Sequence, residues 1–204
     1  MTNATGHRLQ AALNRLDDLW RDVDPEFAAK LAPGLSSDEL DAVEAQVGLT
    51  FPVELRAWFG WHNGMREWGN GGLFVQNKLL TIANAVEAYE FLVEGALEIT
   101  EGTSWKPEDT YWGLSWFPFM GADATFDGID CSGDPSAAAP VFQTYKEGDP
   151  SRVSDTLAEV VEWWFELFDA GAYTQTSSGW VLDDLREGPE SHVYELVRKY
   201  RWMA

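Results

Sequence analysis

Between Ser36 and Gly64 each change of hydrophobic period is marked by a residue with one local use. Ser36-Ser37-Asp38-Glu39 has the spacing of a capping box, in which the Ser36 hydroxyl takes a free helix amide and Glu39 reaches back. Leu40, Val43 and Val47 follow at helical spacing, and Gly48 supplies the left-handed residue that ends such a helix. Pro52 stands where a second helix opens, over 53–61, with Leu55, Trp58 and Phe59 turned inward. His62-Asn63-Gly64 then reads as a tight turn, since Asn and Gly tolerate positive φ. The expected role of His62 in that turn is local packing or hydrogen bonding. A chain punctuated in this way is committed to two short capped helices and a turn.

The periods on either side complete the outline. Leu9, Leu13, Leu16 and Trp20 form one stripe of a helix expected over 7–31, which Ala32-Pro33-Gly34 breaks. After the turn, 73–75 and 79–82 read as short strands and 84–99 as a helix. Residues 111–120 read as one or two strands interrupted at Gly113 and Pro118, and 125–131 and 141–145 as further strands. A loop over 133–140 and a turn over 146–150 separate them. Residues 153–170 give the strongest helical pattern, 174–179 a polar linker, and Pro189 opens a last helix ending near Tyr200. Helices, then strands, then helices predict an α+β fold: a mostly antiparallel sheet of about five to six strands covered by helices. The expected division is an N-terminal helix (1–29) packed on a domain of residues 30–170, with a helical extension over 171–204.

Charge separates the middle of the chain from its ends. Of 204 residues, 34 are acidic and 14 basic, a net charge of −20. Residues 1–84 carry 11 acidic and 7 basic side chains, residues 85–170 carry 18 and 3, and residues 171–204 carry 5 and 4. Such a surface repels nucleic acid and anionic membranes and steers cationic partners toward it. Aromatics at 14% exclude bulk disorder, and one cysteine excludes a disulfide framework or a multi-thiolate metal site. No apolar run is long enough to span a bilayer. The opening residues are polar, without the apolar segment of a secretion signal, so the cytoplasm is the expected compartment.

The run Leu31-Ala-Pro-Gly-Leu-Ser-Ser-Asp-Glu-Leu-Asp-Ala-Val-Glu44, then Val47-Gly-Leu-Thr-Phe-Pro-Val-Glu-Leu55 and Trp61-His-Asn-Gly64, resembles the opening of the SUKH superfamily. That superfamily takes in fungal cell-wall-assembly regulators and many bacterial immunity proteins. Trp116-Phe-Pro-Phe-Met120, Asp127-Gly-Ile-Asp130 and Pro140-Val-Phe142 look like its second block, and Val160-Val-Glu-Trp-Trp164 looks like its closing helix. The resemblance covers roughly residues 30–170. These residues are caps, turns and strand positions, so they identify a fold and do not locate an active site. The resemblance implies a protein-binding module. In bacteria it implies, most often, an immunity protein that binds and blocks a secreted toxin, frequently a basic nuclease.

The enzymatic alternatives find little support. His7, His62 and His192 are far apart and none has a partner one helical turn away. Asp123, Asp127 and Asp130 lack the loop glycine and closing glutamate of an EF-hand, and on a strand Asp127 and Asp130 point to opposite faces. Cys131 reads as a buried thiol. Gly69-Asn-Gly-Gly72 lacks the Lys-Ser/Thr of a phosphate loop. No catalytic residue, cofactor or metal is expected. The expected site is an acidic, aromatic-bearing face for a basic toxin domain, with Glu108, Asp109, Asp123, Asp127 and Asp130 supplying charge and Trp68 and Trp112 anchoring. A regulatory scaffold binding an endogenous basic partner is the second reading. A hydrolase built on a carboxylate pair is the third, and would need a deep pocket holding two carboxylates with opposite pKa shifts.

Overall fold

The computed structural model describes residues 4–65, 78–122, 125–144, 150–176, 179–182 and 192–199. The expected strand at 73–75, most of the turn at 146–150 and the site residues Trp68 and Asp123 lie outside them. The fold is α+β. Helix α1 (Ala4–Val23) buries Leu9, Leu13, Leu16 and Trp20 completely. It stops earlier than its apolar stripe suggests. Asp24 caps a separate turn of helix, α2 (Pro25–Ala28), by accepting the Phe27 amide at 3.1 Å. Pro25 cannot donate back into α1, and it pushes the residue before it out of helical conformation.

Residues expected to be a break and a turn are instead paired. Strand β1 (Leu31–Pro33) lies antiparallel to β2 (His62–Met65), with Leu31 opposite Met65. Between them sit α3 (Ser37–Val47) and α4 (Val53–Trp61). Ser36 and Glu39 make the expected capping box, and Gly48 ends α3 with φ +72°. Gly64 also has a positive φ, +63°, and a Cβ there would meet the Leu80 carbonyl carbon at 2.3 Å. A side chain at that position would therefore collide with the chain just beyond β3.

The main sheet is five-stranded and antiparallel, in the order β3 (Lys78–Leu79), β4 (Trp116–Ala122), β5 (Thr125–Asp130), β6 (Val141–Thr144) and β7 (Ser151–Ser154). β4 runs through Pro118 and does not break there; its register shifts between Pro118 and Met120. β7 occupies the start of what periodicity assigned to a helix. Helix α6 (Leu157–Asp169) begins three residues after β7, where the Thr156 hydroxyl accepts the Glu159 amide at 3.0 Å. The expected linker at 174–179 is part of a hairpin of β8 (Tyr173–Thr176) and β9 (Gly179–Leu182). Helix α7 (His192–Lys199) sends Val193 into a small cluster with Leu167 and Ala172.

Strand alternation divides the apolar residues between two faces of the sheet. Phe117, Phe119, Ile129, Val141 and Val153 join α1, α4 and α6 in the main core, where Trp58 meets Phe119 and Trp164 edge-on. Trp116, Phe126 and Phe142 face the other way, toward Trp112 and the inner side of helix α5 (Ile82–Thr100). Trp116 stacks on Phe142 with 3.9 Å between ring centroids. β5 passes beneath Trp112 as Gly128, where a Cβ would lie 2.5 Å from the Trp112 ring.

Candidate functional site

Helix α5 is the element whose outer face is built least like an ordinary solvated surface. Thr81 starts it by accepting the Asn84 amide at 3.3 Å. Ala85, Leu92 and Ala96 fall on the buried side. Gly95 faces Tyr111: a Cβ there would lie 2.4 Å from the Tyr111 hydroxyl, so the ring seats in a notch that the glycine leaves. Tyr89 ties the helix to the following segment by donating to the Leu114 carbonyl at 2.9 Å. Burial raises the pKa of Tyr89 and Tyr111 above the ordinary phenol range, with the nearby Glu98 charge adding to the effect on Tyr111.

The outer side carries Glu87, Glu90, Phe91, Glu94, Leu97, Glu98 and Glu101, all exposed. At 100° per residue these seven fall within an arc of about 120°. Glu90, Glu94 and Glu98 are spaced by four, where like charges repel. Among the described residues none of the five glutamates has an ion-pair partner. Phe91 is 66% exposed, Leu97 48% and Ile99 49%. Beyond the helix, Trp105 stands 64% exposed before a short 3-10 turn, Pro107–Asp109. Glu108 and Asp109 are exposed on that turn, and Lys106 approaches Glu108 only to 3.9 Å. Residues 82–110 thus hold seven carboxylates, one lysine and no arginine.

The structure separates the remaining expected site residues. Trp112 is fully buried and donates its indole N–H to the Trp116 carbonyl at 3.0 Å, so the expectation that it anchors a partner is corrected. Gly128 opens the space that its ring fills. Asp127 is 8% exposed and accepts a hydrogen bond from the Gln143 amide at 2.7 Å across the β5–β6 ladder, which withdraws it from the surface. Asp130 lies at the end of β5, accepting from the Ser115 hydroxyl at 2.8 Å and the Ser132 amide at 2.9 Å. The four glutamates of α5 and Glu101 at its end, with Phe91 and Trp105, are missing from the sequence-based site. Their spacing of three and four along an expected helix was the available signal.

The other candidate chemistries find no home among the described residues. No cluster of three metal-ligating side chains occurs there. His62 is held on both ring nitrogens, by the Ala32 carbonyl and by Asp17, each at 2.9 Å, and serves to bind α1 to β1 and β2. Cys131 is buried, and burial pushes its thiol pKa well up, away from the nucleophilic thiolate. Burial raises the pKa of the Glu54 carboxyl; Glu39 and Asp134, lowered by hydrogen bonds from Ser36 and Ser136, sit fully exposed elsewhere. A cleft of about 840 Å³ between α1, α3 and α4 contains Arg56, already matched by Asp41 at 2.8 Å and by Glu44.

The model of the SMI1 / KNR4 family (SUKH-1) matches residues 34–163. The chain belongs to the SMI1/KNR4 (SUKH-1) family. No curated protein sequence matches it significantly. The matched span runs from just before the capping box into the first half of α6, so it includes α5 and the 3-10 turn as well as the sheet. SUKH-1 membership supports a protein-binding module of immunity or regulatory type. No described helix is long and apolar enough to cross a membrane.

Proposed function

We propose that this SUKH-1 protein is an immunity protein that binds a basic toxin domain and blocks it by occlusion, acting in the cytoplasm. The supporting observation is the exposed acid of residues 87–109, seven carboxylates against one lysine, beside Trp105, on a chain whose family is one of protein-binding modules. Carboxylates there would take the lysines and arginines that the toxin uses on its own substrate, and the exposed aromatics would anchor the contact. Of the residues first expected at the site, Glu108 and Asp109 stay in this proposal, and Asp123 and Trp68 extend it. An immunity protein needs no cofactor and no catalytic group for this action.

A regulatory protein binding an endogenous basic partner would use the same chemistry, and the partner's gene separates the two readings. The test is to express the protein encoded beside this gene with and without the chain and to measure growth. Rescue of a toxic neighbour, with a complex that weakens as salt rises, is the expected result. A harmless neighbour, or a toxic one that the chain neither binds nor suppresses, overturns the immunity reading.

A further inference from the structure

The outer stripe of α5 has a shape as well as a charge. A shallow groove of about 830 Å³ runs along one flank of it, lined by Tyr89, Val93 and Leu97 with Glu90, Glu94, Glu98 and Glu101 at its border. The apolar floor repeats every four residues, and so do Glu90, Glu94 and Glu98. Each therefore advances about 6 Å per step.

We propose that this groove docks a basic amphipathic helix of a protein partner. Its leucine- or aromatic-type side chains would enter over Tyr89, Val93 and Leu97, and its lysines and arginines would meet Glu90, Glu94, Glu98 and Glu101. Three features select that occupant. Leu97 stands 48% exposed in the groove, with Tyr89 and Val93 half-buried beside it, so hydrophobic area is on offer. The carboxylates lack ion-pair partners among the described residues, so a cationic partner gains charge complementarity without displacing an existing bridge. A second copy of the same face would oppose carboxylate to carboxylate, which excludes self-pairing as the occupant. A helix with the same rise per residue keeps both rows in step over three turns. The proposal rests on the immunity reading only for the partner being basic; it fixes the surface and the form of the contact.

The full chain can be titrated calorimetrically with a synthetic leucine–lysine helical peptide, its leucines spaced by four, and with a version in which serine replaces leucine. Binding of the first roughly tenfold tighter than the second is expected. The L97S substitution should lose a large part of that tenfold, and Leu97 is exposed, so the fold persists. E94K/E98K should weaken binding further and flatten its salt dependence, while D18K/D22K, the same charge change on the exposed side of α1, should leave it near wild type. Equal binding of both peptides, or an equal loss in the α1 variant, would reduce the effect to net charge and overturn the proposal. A dimer that L97S dissociates would assign the face to self-association instead. If the α5 variants lose the peptide yet still suppress the toxin, the groove is wrong and the immunity reading stands. If no toxin exists but the groove variants behave as described, the reverse holds.

Discussion

The Glu54 carboxylate accepts the backbone N–H of Ala158 at 3.1 Å, joining residues 104 positions apart in the chain. Its other oxygen accepts the Ala139 amide at 3.4 Å. One fully buried side chain on α4 thus closes the N-terminus of α6 and holds the loop before β6. Amides freed at a helix start have no partner of their own, and a carboxylate suits the positive end of the helix dipole.

Replacing Glu54 by alanine leaves buried amides without acceptors and should cost about 2–4 kcal/mol in urea unfolding. Burial raises the Glu54 pKa above its ordinary 4.5. A raised folded value means that the contribution of this group is fully present below pH 4.5 and falls as the pH rises through the folded value. The stability difference between wild type and E54Q should therefore shrink from pH 4 toward neutrality, on the order of the shift itself. A difference that grows with pH would reverse the assigned direction.

The capping box is open to a direct test. Ser36→Ala removes the acceptor for the Glu39 amide and should cost about 1 kcal/mol, with the loss confined to unfolding of the whole domain. Gly48→Ala should cost a similar amount, about 1 kcal/mol, for a different reason: φ +72° strains an L side chain even though open space surrounds it. Thermal melts of the two variants check both figures.

Gly128→Val should be among the more damaging single changes in the sheet, at about 1–3 kcal/mol or more. The new side chain would enter the Trp112 ring, 2.5 Å from the ideal Cβ position. Trp112 packs edge-on against Trp116, so a near-ultraviolet circular dichroism change should accompany the loss. An unchanged aromatic spectrum would contradict the placement of Trp112.

Glu94→Gln should raise the stability of the isolated protein by a few tenths of a kcal/mol, because it removes repulsion with Glu90 and Glu98 one turn away on either side. The gain should fade in high salt. Urea midpoints for wild type and variant at two ionic strengths measure it.

The residues that act alone on the backbone were the legible ones. Ser36, Glu39, Gly48 and Pro52 each bend or cap the chain by local chemistry, so the first half of the domain could be read from left to right. Strands β7, β8 and β9 escaped because none of the three alternates apolar with polar residues. In Ser151–Ser154 only Val153 is apolar, and the sheet partner supplies the rest of the preference. The site was legible in region and illegible in depth. Acid excess pointed to residues 85–170, but whether a tryptophan or aspartate there faces water depends on partners distant in sequence. Trp112 goes inward because Gly128 leaves a hollow, and Asp127 because Gln143 stands opposite. Glu108 and Asp109, on a 3-10 turn with no buried residue of its own, stay outside.

The notch at Gly95 has one further consequence. With Tyr111 seated in it and Tyr89 bonded to the Leu114 carbonyl, α5 is fastened from behind while its front stays bare. A partner arriving at that face meets a template already in its final shape and gives up disorder only on its own side. Rival partners would then differ mainly in how long they stay, and evolution could exchange one for another by altering side chains on the rail while leaving its mounting untouched.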